Sequence, residues 1–414
     1  IGYRANGNVM RGGAVVGTLP TYAPGDTITT AYNPTTGSAW FGKNAAPDIT
    51  QTPAATGLAA GLYFGASSIW VYPDGQTAFY ANFGQRAWTY APPAGYGPIT
   101  TATMPCPPIK RPERYATTRL RSAGAAVADL PWDPTAIKTL VLSKRRDSAT
   151  DWRANDTLRP GRAWAPNLAT GDFVEADGLT LTPTGYTVGA ATAYAGSRID
   201  YVWRASMAAG FDMVLVNHVN GVADVVPHAV GGIIDYAWVV PLGGGARRVY
   251  LRALGSGVYI PLNGIGAQVS DAGWFVSSAV DLTLGAALPT GQYALYLWRS
   301  VPGFSAFGTY TGNGAAEGPF VPLDFAPAVF VDRYAASTTE NWLVRDAARS
   351  PANPVNAMNL FFNLASADDS YAHTADFVSN GVKLRGTHTA QNASGAVYAF
   401  AAWAGTPQKF ARAR

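Results

Sequence analysis

The chain has 414 residues, 48% of them hydrophobic and only 14% charged, with 45 Gly, 29 Pro and 12% aromatic residues. That length asks for several domains, and few charges with many Gly and Pro exclude a fold of long amphipathic helices in favour of short strands joined by tight turns. The net charge of +4 is diffuse: its densest run, Lys144-Arg145-Arg146, is followed at once by Asp147, unlike the one-sided basic face of a nucleic-acid binder.

From the first residues onward, apolar or aromatic runs alternate with turn signals. Ile1-Gly2-Tyr3-Arg4 reads as the middle of a strand-rich domain, with neither an initiator Met nor a basic-then-apolar signal pattern, so further sequence upstream is expected. Thr27–Tyr32, the turn Asn33-Pro34-Thr35-Thr36-Gly37 and Ser38–Phe41 predict a β-hairpin. Ser68-Ile69-Trp70-Val71-Tyr72 is a further predicted strand, ended by Pro73-Asp74-Gly75 and followed by Thr77–Phe83. The single cysteine, Cys106, excludes an intrachain disulfide, and no apolar run reaches the ~18 residues of a membrane span.

Pro24-Gly25-Asp26-Thr27-Ile28, Trp40-Phe41-Gly42-Lys43-Asn44, Ala81-Asn82-Phe83-Gly84-Gln85-Arg86 and Tyr90-Ala91-Pro92-Pro93-Ala94-Gly95-Tyr96 together resemble the C-terminal part of SPRY-type domains of phage proteins. The resemblance implies a concanavalin-like, lectin-like sandwich over residues 1–104, incomplete at its N-terminus. Asn33 stands where that family often carries an acidic residue, which places a binding role there in doubt.

Residues 105–113 form a Pro-rich linker, with Pro105, Pro107, Pro108 and Pro112; proline fixes φ and lacks an N–H, so an extended, stiff spacer is expected. After it the sequence repeats. Strands opening at Tyr115, Phe211 and Phe304 lead to closing strands that carry Trp203, Trp298 and Trp403. The recurrence of about 90–100 residues is too long for a solenoid and fits one sandwich per repeat. Val141–Trp152 aligns with Val329–Trp342, and Asp177–Leu181 with Asn380–Leu384 and Asp281–Leu284. The predicted units are 114–208, 209–301 and 302–414, closely joined through Ala208-Ala209-Gly210 and Val301-Pro302-Gly303. The predicted fold class is therefore all-β: tandem antiparallel β-sandwiches, one lectin-like SPRY sandwich plus three repeated sandwich or jelly-roll-like units.

Within the repeats, Tyr310-Thr311-Gly312-Asn313-Gly314, Gly318-Pro319-Phe320, Asn341-Trp342, Asp346-Ala347-Ala348-Arg349, Asn353-Pro354 and Phe377–Arg385 are similar to an uncharacterised β-domain family of phage and prophage structural proteins, often found downstream of a SPRY-type domain. The two resemblances, in that order, imply a virion protein at the particle surface.

Signals for chemistry are sparse. His218, His228, His373 and His388 show no metal-ligand spacing, and one cysteine disfavours zinc; no metal and no cofactor are expected. Neither a Gly-x-Ser-x-Gly elbow nor a phosphate loop occurs, and Gly243-Gly244-Gly245 reads as a turn. Asp368-Asp369 and Glu175 with Asp177 are the carboxylate pairs a glycosidase would need, but their polar, turn-like surroundings favour solvated loop acids. Asp368-Asp369-Ser370 lacks the spaced acids of a calcium loop. No catalytic residue is assigned and no enzymatic activity is expected.

Trp152, Trp203, Trp298, Trp342 and Trp403 recur at repeat positions and are expected in the core. Trp40, Trp70, Tyr72, Trp88 and Tyr90 crowd the first domain and are the candidate ligand-binding set, since exposed aromatic faces stack on sugar rings. The leading expectation is a tail fibre, head fibre or spike of a tailed phage that contacts host surface polysaccharide. Expected partners are other virion proteins and, from the resemblance, two further copies in a homotrimer, without nucleic acid or membrane insertion. A capsid or neck decoration protein with a mechanical role is the alternative, and a capsule depolymerase comes third.

Overall fold

The computed structural model describes residues 2–11, 13–33, 36–58, 87–97, 108–355, 359–369 and 373–405. Its regular structure is almost entirely antiparallel β, in several separate sheets, as expected of tandem sandwiches. The chain divides into two compact units, residues 1–105 and 106–414.

In the first unit, Gly2–Tyr3, Asn8–Arg11 and Ala14–Thr18 form a three-stranded meander. The predicted hairpin forms, Ile28–Asn33 against Ser38–Lys43, with Asn33 opposite Ser38. Tyr3, Tyr22 and Phe41 make a small aromatic cluster, with centroids 5.0 and 5.4 Å from Tyr3. The predicted strands Ser68–Tyr72 and Thr77–Phe83 lie outside the described residues.

The second unit holds three sandwiches of one topology. In the first, strands Phe173–Val174, Arg162–Trp164, Arg153–Asp156, Thr139–Arg145, Arg198–Arg204 and Ala116–Arg121 neighbour one another in that order. The second repeats the order with Val269–Ser270, Val258–Pro261, Arg248–Leu251, Tyr236–Pro241, Gly291–Trp298 and Phe211–His218. The third has Leu360–Phe361, Leu343–Asp346, Pro327–Tyr334, Val397–Ala404 and Ser305–Thr311. Each large sheet faces a smaller one: the hairpin Leu179–Thr182 with Gly185–Val188, then three-stranded sheets centred on Asp281–Leu284 and on Gly381–Arg385.

Strand periodicity of two sends alternate side chains to opposite faces. Val141 and Val202 point to their own small sheet, as do Val239 and Leu297 in the second sandwich and Phe330 and Tyr398 in the third. Leu140, Leu142, Tyr201 and Trp203 point the other way, with Tyr236, Trp238, Tyr296, Trp298, Val329, Val331 and Trp403, into one core common to all three sandwiches. Both faces of each large sheet are thus buried. This is why Tyr236-Ala237-Trp238-Val239-Val240 and Val397–Ala404 read as continuous apolar runs rather than alternating ones. The three repeat tryptophans meet in this core: centroid distances are 6.1 Å for Trp203–Trp298, 5.3 Å for Trp203–Trp403 and 6.0 Å for Trp298–Trp403. Trp152 and Trp342 are buried in it too.

Two alignments made from sequence shift. Leu140 opposes Asp156 as Val329 opposes Asp346, so Val329 corresponds to Leu140 rather than Val141. The counterpart of Gly381–Arg385 is Gly185–Val188, each lying against the strand before it and followed by a short helical turn, not Asp177–Leu181. A Gly followed by alternating apolar residues occurs at both Gly178 and Gly185, and only the ladder distinguishes them. The end of the predicted spacer also differs: Pro112–Arg114 is a 3-10 turn, and Ile109 is buried among the core residues of the third sandwich.

Candidate functional site

Of the aromatic set proposed for ligand contact, Trp70 and Tyr72 lie outside the described residues. Trp88 is exposed and Tyr90 half-buried. Trp40 is half-buried on the hairpin strand Ser38–Lys43, its Nε1 donating to Gln51 O at 3.1 Å. Its ring meets Tyr96 edge-on at 6.2 Å; among the described residues no ring contact joins it to Trp88 or Tyr90.

The acids tell more. Asp368 is not a solvated loop residue: its Oδ2 accepts from Arg146 Nε at 2.6 Å and its Oδ1 from Arg349 Nη1 at 2.9 Å, tying the first sandwich to the third. Asp369 is fixed through backbone hydrogen bonds with Asn359, and Ser370 lies outside the described residues. Sequence reading missed a repeated Asp-x-x-Arg turn that follows each large-sheet strand after Trp152 and Trp342. In the third sandwich, Asp346 Oδ1 accepts from the backbone N–H of Ala348 and Arg349, and its Oδ2 takes Arg349 Nε at 2.6 Å and Tyr201 OH at 2.7 Å from the first sandwich. In the first sandwich, Asp156 holds Leu158, Arg159 and, at 2.7 Å, the hydroxyl of Tyr296 from the second. Burial and the Asp156 carboxylate keep the Tyr296 hydroxyl protonated far above its ordinary range.

The joins run cyclically, first to third, third to second, second to first. Trp152 Nε1 donates to Phe361 O at 2.9 Å, Trp342 Nε1 to Pro261 O at 2.8 Å and Arg247 Nη2 to Thr170 O at 2.8 Å. Where the third sandwich meets the second, Ala401 and Leu251 stand in the places of the tyrosine and aspartate, so that one contact is apolar while Trp342 and Arg333 of the third sandwich donate to carbonyls of the second.

Three of the histidines have partners within the sandwiches. His218 is buried between Asp224 Oδ2 at 2.5 Å and Leu288 O at 3.0 Å. Burial, then the neighbouring His388, push His373 down to about 3; the two rings lie 4.2 Å apart. Among the described residues no cluster of three or more His, Cys, Asp or Glu side chains could hold a metal ion.

A mainly polar surface cleft brings two of the acids singled out from sequence together. At the end of the first sandwich an open cleft of about 360 Å³ is lined by Asn155, Glu175, Asp177, Thr180 and Thr187, with backbone from Gly161, Gly178 and Gly189. The turn Glu175-Ala176-Asp177-Gly178, closed by Gly178 N–H to Glu175 O, leads into the hairpin, whose Thr180 and Thr187 are directly opposed. Asp177 sits at φ 55°, a left-handed conformation that Asp and Asn tolerate better than most residues. The Glu175 side chain is only 11% exposed: Oε1 takes Arg153 Nε at 2.6 Å, and Oε2 is buried with no partner. Asn155 is occupied, accepting from Tyr194 OH and donating to Arg162 O. Glu175 and Asp177, weighed as a catalytic pair from sequence, thus do share a site.

In comparison with known families, a family model described as a domain of unknown function (DUF7483) matches residues 138–407. No curated protein matches the chain.

Proposed function

This chain belongs to the DUF7483 family, a domain of unknown function, and we propose that it is a non-enzymatic structural protein of a tailed-phage particle, a fibre or spike element that presents binding surfaces to host glycans. The observation that carries this reading is the single core shared by three sandwiches. A body whose large sheets are buried on both faces, and whose buried aspartates Asp156 and Asp346 each accept a tyrosine hydroxyl from another sandwich, is built to hold loops rigidly. The SPRY-like motifs of residues 1–104 support the phage setting, and a polar cleft at a sandwich end supports surface recognition.

The experiment is direct. Antibodies raised against the purified chain are used to label intact particles of the phage or prophage that encodes it, and to block adsorption to the host. Labelling on the particle surface with slower adsorption is expected. A coding region apart from any head or tail genes, or particles that carry no label, would overturn the reading. The homotrimer remains part of the proposal; because the threefold-like packing of residues 106–414 is already supplied by one chain, copies would associate through other surfaces. Light scattering on the purified chain gives the mass.

A further inference from the structure

We propose that the cleft of the first sandwich receives an extended peptide segment of a partner protein, which adds a strand to the free edge of the hairpin Leu179–Thr182 with Gly185–Val188. One place compared across three copies of the same sandwich supports this, whether or not the chain belongs to a particle. Gly178 O accepts from Gly189 N–H, while Tyr186 exchanges hydrogen bonds with Val127 on the far side of its strand. Residues of an antiparallel ladder alternate between bonding inward and outward, so Leu179 and Leu181 turn their N–H and C=O groups away from Gly185–Val188. Among the described residues no hydrogen bond meets those groups, and Leu179 lines the cleft. Such a bare edge is a template for another strand.

In the third sandwich the same edge is covered. Val378 opposes Gly381 as Thr182 opposes Gly185, so Ala375 and Phe377 stand in the places of Leu179 and Leu181. Val355 N–H donates to Ala375 O at 2.6 Å, and the Val355 side chain is buried in the core of that sandwich. The Asn353 carboxamide accepts from Phe377 N–H and donates to Phe377 O, each at 2.9 Å. This covering segment belongs to the loop that leaves the Asp346 turn and takes 14 positions to reach Leu360; the matching loop of the first sandwich runs from Asp156 to Trp164 in eight and turns at Gly161, on the wall of the cleft. In the second sandwich rings fill the place. Tyr250 and Trp274, both buried, stand where the first has Asn155 and Gly178, and Tyr250 stacks on Phe275 at 4.3 Å. The first sandwich has neither the long loop nor the rings, and about 360 Å³ stays open. The third sandwich therefore supplies the partner's chemistry: an extended segment with Asn two residues before a β-branched apolar residue. Its carboxamide closes on Leu181, and the N–H two residues later donates to Leu179 O. Main-chain pairing gives the affinity, and the two side chains give the selectivity. The chain's own Asn353–Val355 is already used in the third sandwich, so the occupant comes from another protein.

The test titrates the full chain, isotope-labelled for amide NMR, with a synthetic peptide of residues 350–358, Ser-Pro-Ala-Asn-Pro-Val-Asn-Ala-Met. Saturable shifts of the Leu179 and Leu181 amides, with slowed hydrogen exchange at both, are expected with a Kd of about 1 mM or below. Replacing the peptide's Asn by Ala, or its Val by Asp, is expected to weaken binding about tenfold. Leu181→Pro removes an outward N–H that the hairpin does not use, at an edge position where proline is tolerated, and should weaken binding about fivefold or more. Should that variant fail to fold, the peptide substitutions and the amide map still decide, because both use the unaltered chain. No saturable shift up to about 5 mM peptide would overturn the proposal. Shifts confined to Ala375 and Phe377, or equal binding of the substituted peptides, would do the same. Oligosaccharide from the host envelope that shifts the Leu179 and Leu181 amides where the peptide does not would make the cleft a glycan site instead.

Discussion

Lys144 lies 1% exposed on the core-facing side of Thr139–Arg145, with its Nζ donating to Arg145 O at 2.6 Å. Burial pushes its ammonium down to about 8, partly opposed by Asp368 and Asp151. Between about 8 and the ordinary 10.5, the unfolded chain holds a proton that the folded chain does not, so stability rises with pH through that window. Below about 8 both states are protonated and the folded protein carries the full penalty. Lys144→Met removes the buried charge at similar length and is expected to stabilise by on the order of 1–3 kcal/mol at pH 7. The gain should shrink by pH 9.5, as read from urea midpoints at the two values; a gain independent of pH would contradict this account. Tyr201 makes the opposite case. Tyr201→Phe takes a donor from the buried Asp346 carboxylate and should cost about 1–3 kcal/mol. Loss of that size, measured by denaturant unfolding, marks the hydroxyl as part of the join, and a neutral result would show that Arg349 alone satisfies Asp346.

Among the elements, the hairpin Leu179–Thr182 with Gly185–Val188 shows why glycine spacing matters here. A Cβ on Gly189 would lie 2.4 Å from Asp177 O and 2.6 Å from its carbonyl carbon, both rigid backbone. Gly189→Ala therefore has to push the Glu175–Gly178 turn outward. It is expected to lower stability by about 1–3 kcal/mol and to abolish any binding in the cleft, whereas Thr187→Ala, at an exposed strand position, should leave stability nearly unchanged. Thermal melts of both variants decide it. Much at this scale was legible beforehand. The hairpin around Asn33–Gly37, the aromatic openings of the repeats and the closing tryptophans follow from alternation and turn chemistry alone. What was not legible depends on which strands meet. Two Gly-led apolar stretches in the first repeat fit the same template, and only pairing distances chose Gly185 over Gly178. Asp368 looked like a loop acid because nothing local reveals that Arg146, more than 200 positions earlier, reaches it. The repeated Asp156-x-x-Arg159 and Asp346-x-x-Arg349 were visible as text, but their meaning lies in the tyrosine that each receives from another sandwich. The Glu175–Asp177 site was legible as a pair of nearby acids, not as a cleft with one unpartnered oxygen.

Over the whole molecule, the decisive fact is that three sandwiches share a core instead of each enclosing only its own. Independent beads on a string would unfold separately, and truncating one core residue would melt one bead. Here Trp298 touches Trp203 of the first sandwich and Trp403 of the third, besides Phe211, Tyr236 and Trp238 of its own. Trp298→Ala removes a fully buried indole from the point where all three meet, a loss of about 3–5 kcal/mol. If the core couples the sandwiches, that loss is felt equally in all of them. Hydrogen exchange followed by mass spectrometry tests it, because peptides from Thr139–Arg145, Tyr236–Pro241 and Pro327–Tyr334 report the three large sheets separately. In the unaltered chain the most protected amides of the three should open with one free energy, and in Trp298→Ala all three should fall together. Faster exchange confined to Tyr236–Pro241 would show that the second sandwich unfolds alone and that the common core adds contact without cooperativity. The cyclic joins argue for the first outcome. Each sandwich donates to one neighbour and accepts from the other, through Trp152, Trp342 and Arg247, so none can leave without exposing donors and carbonyls on both of the others.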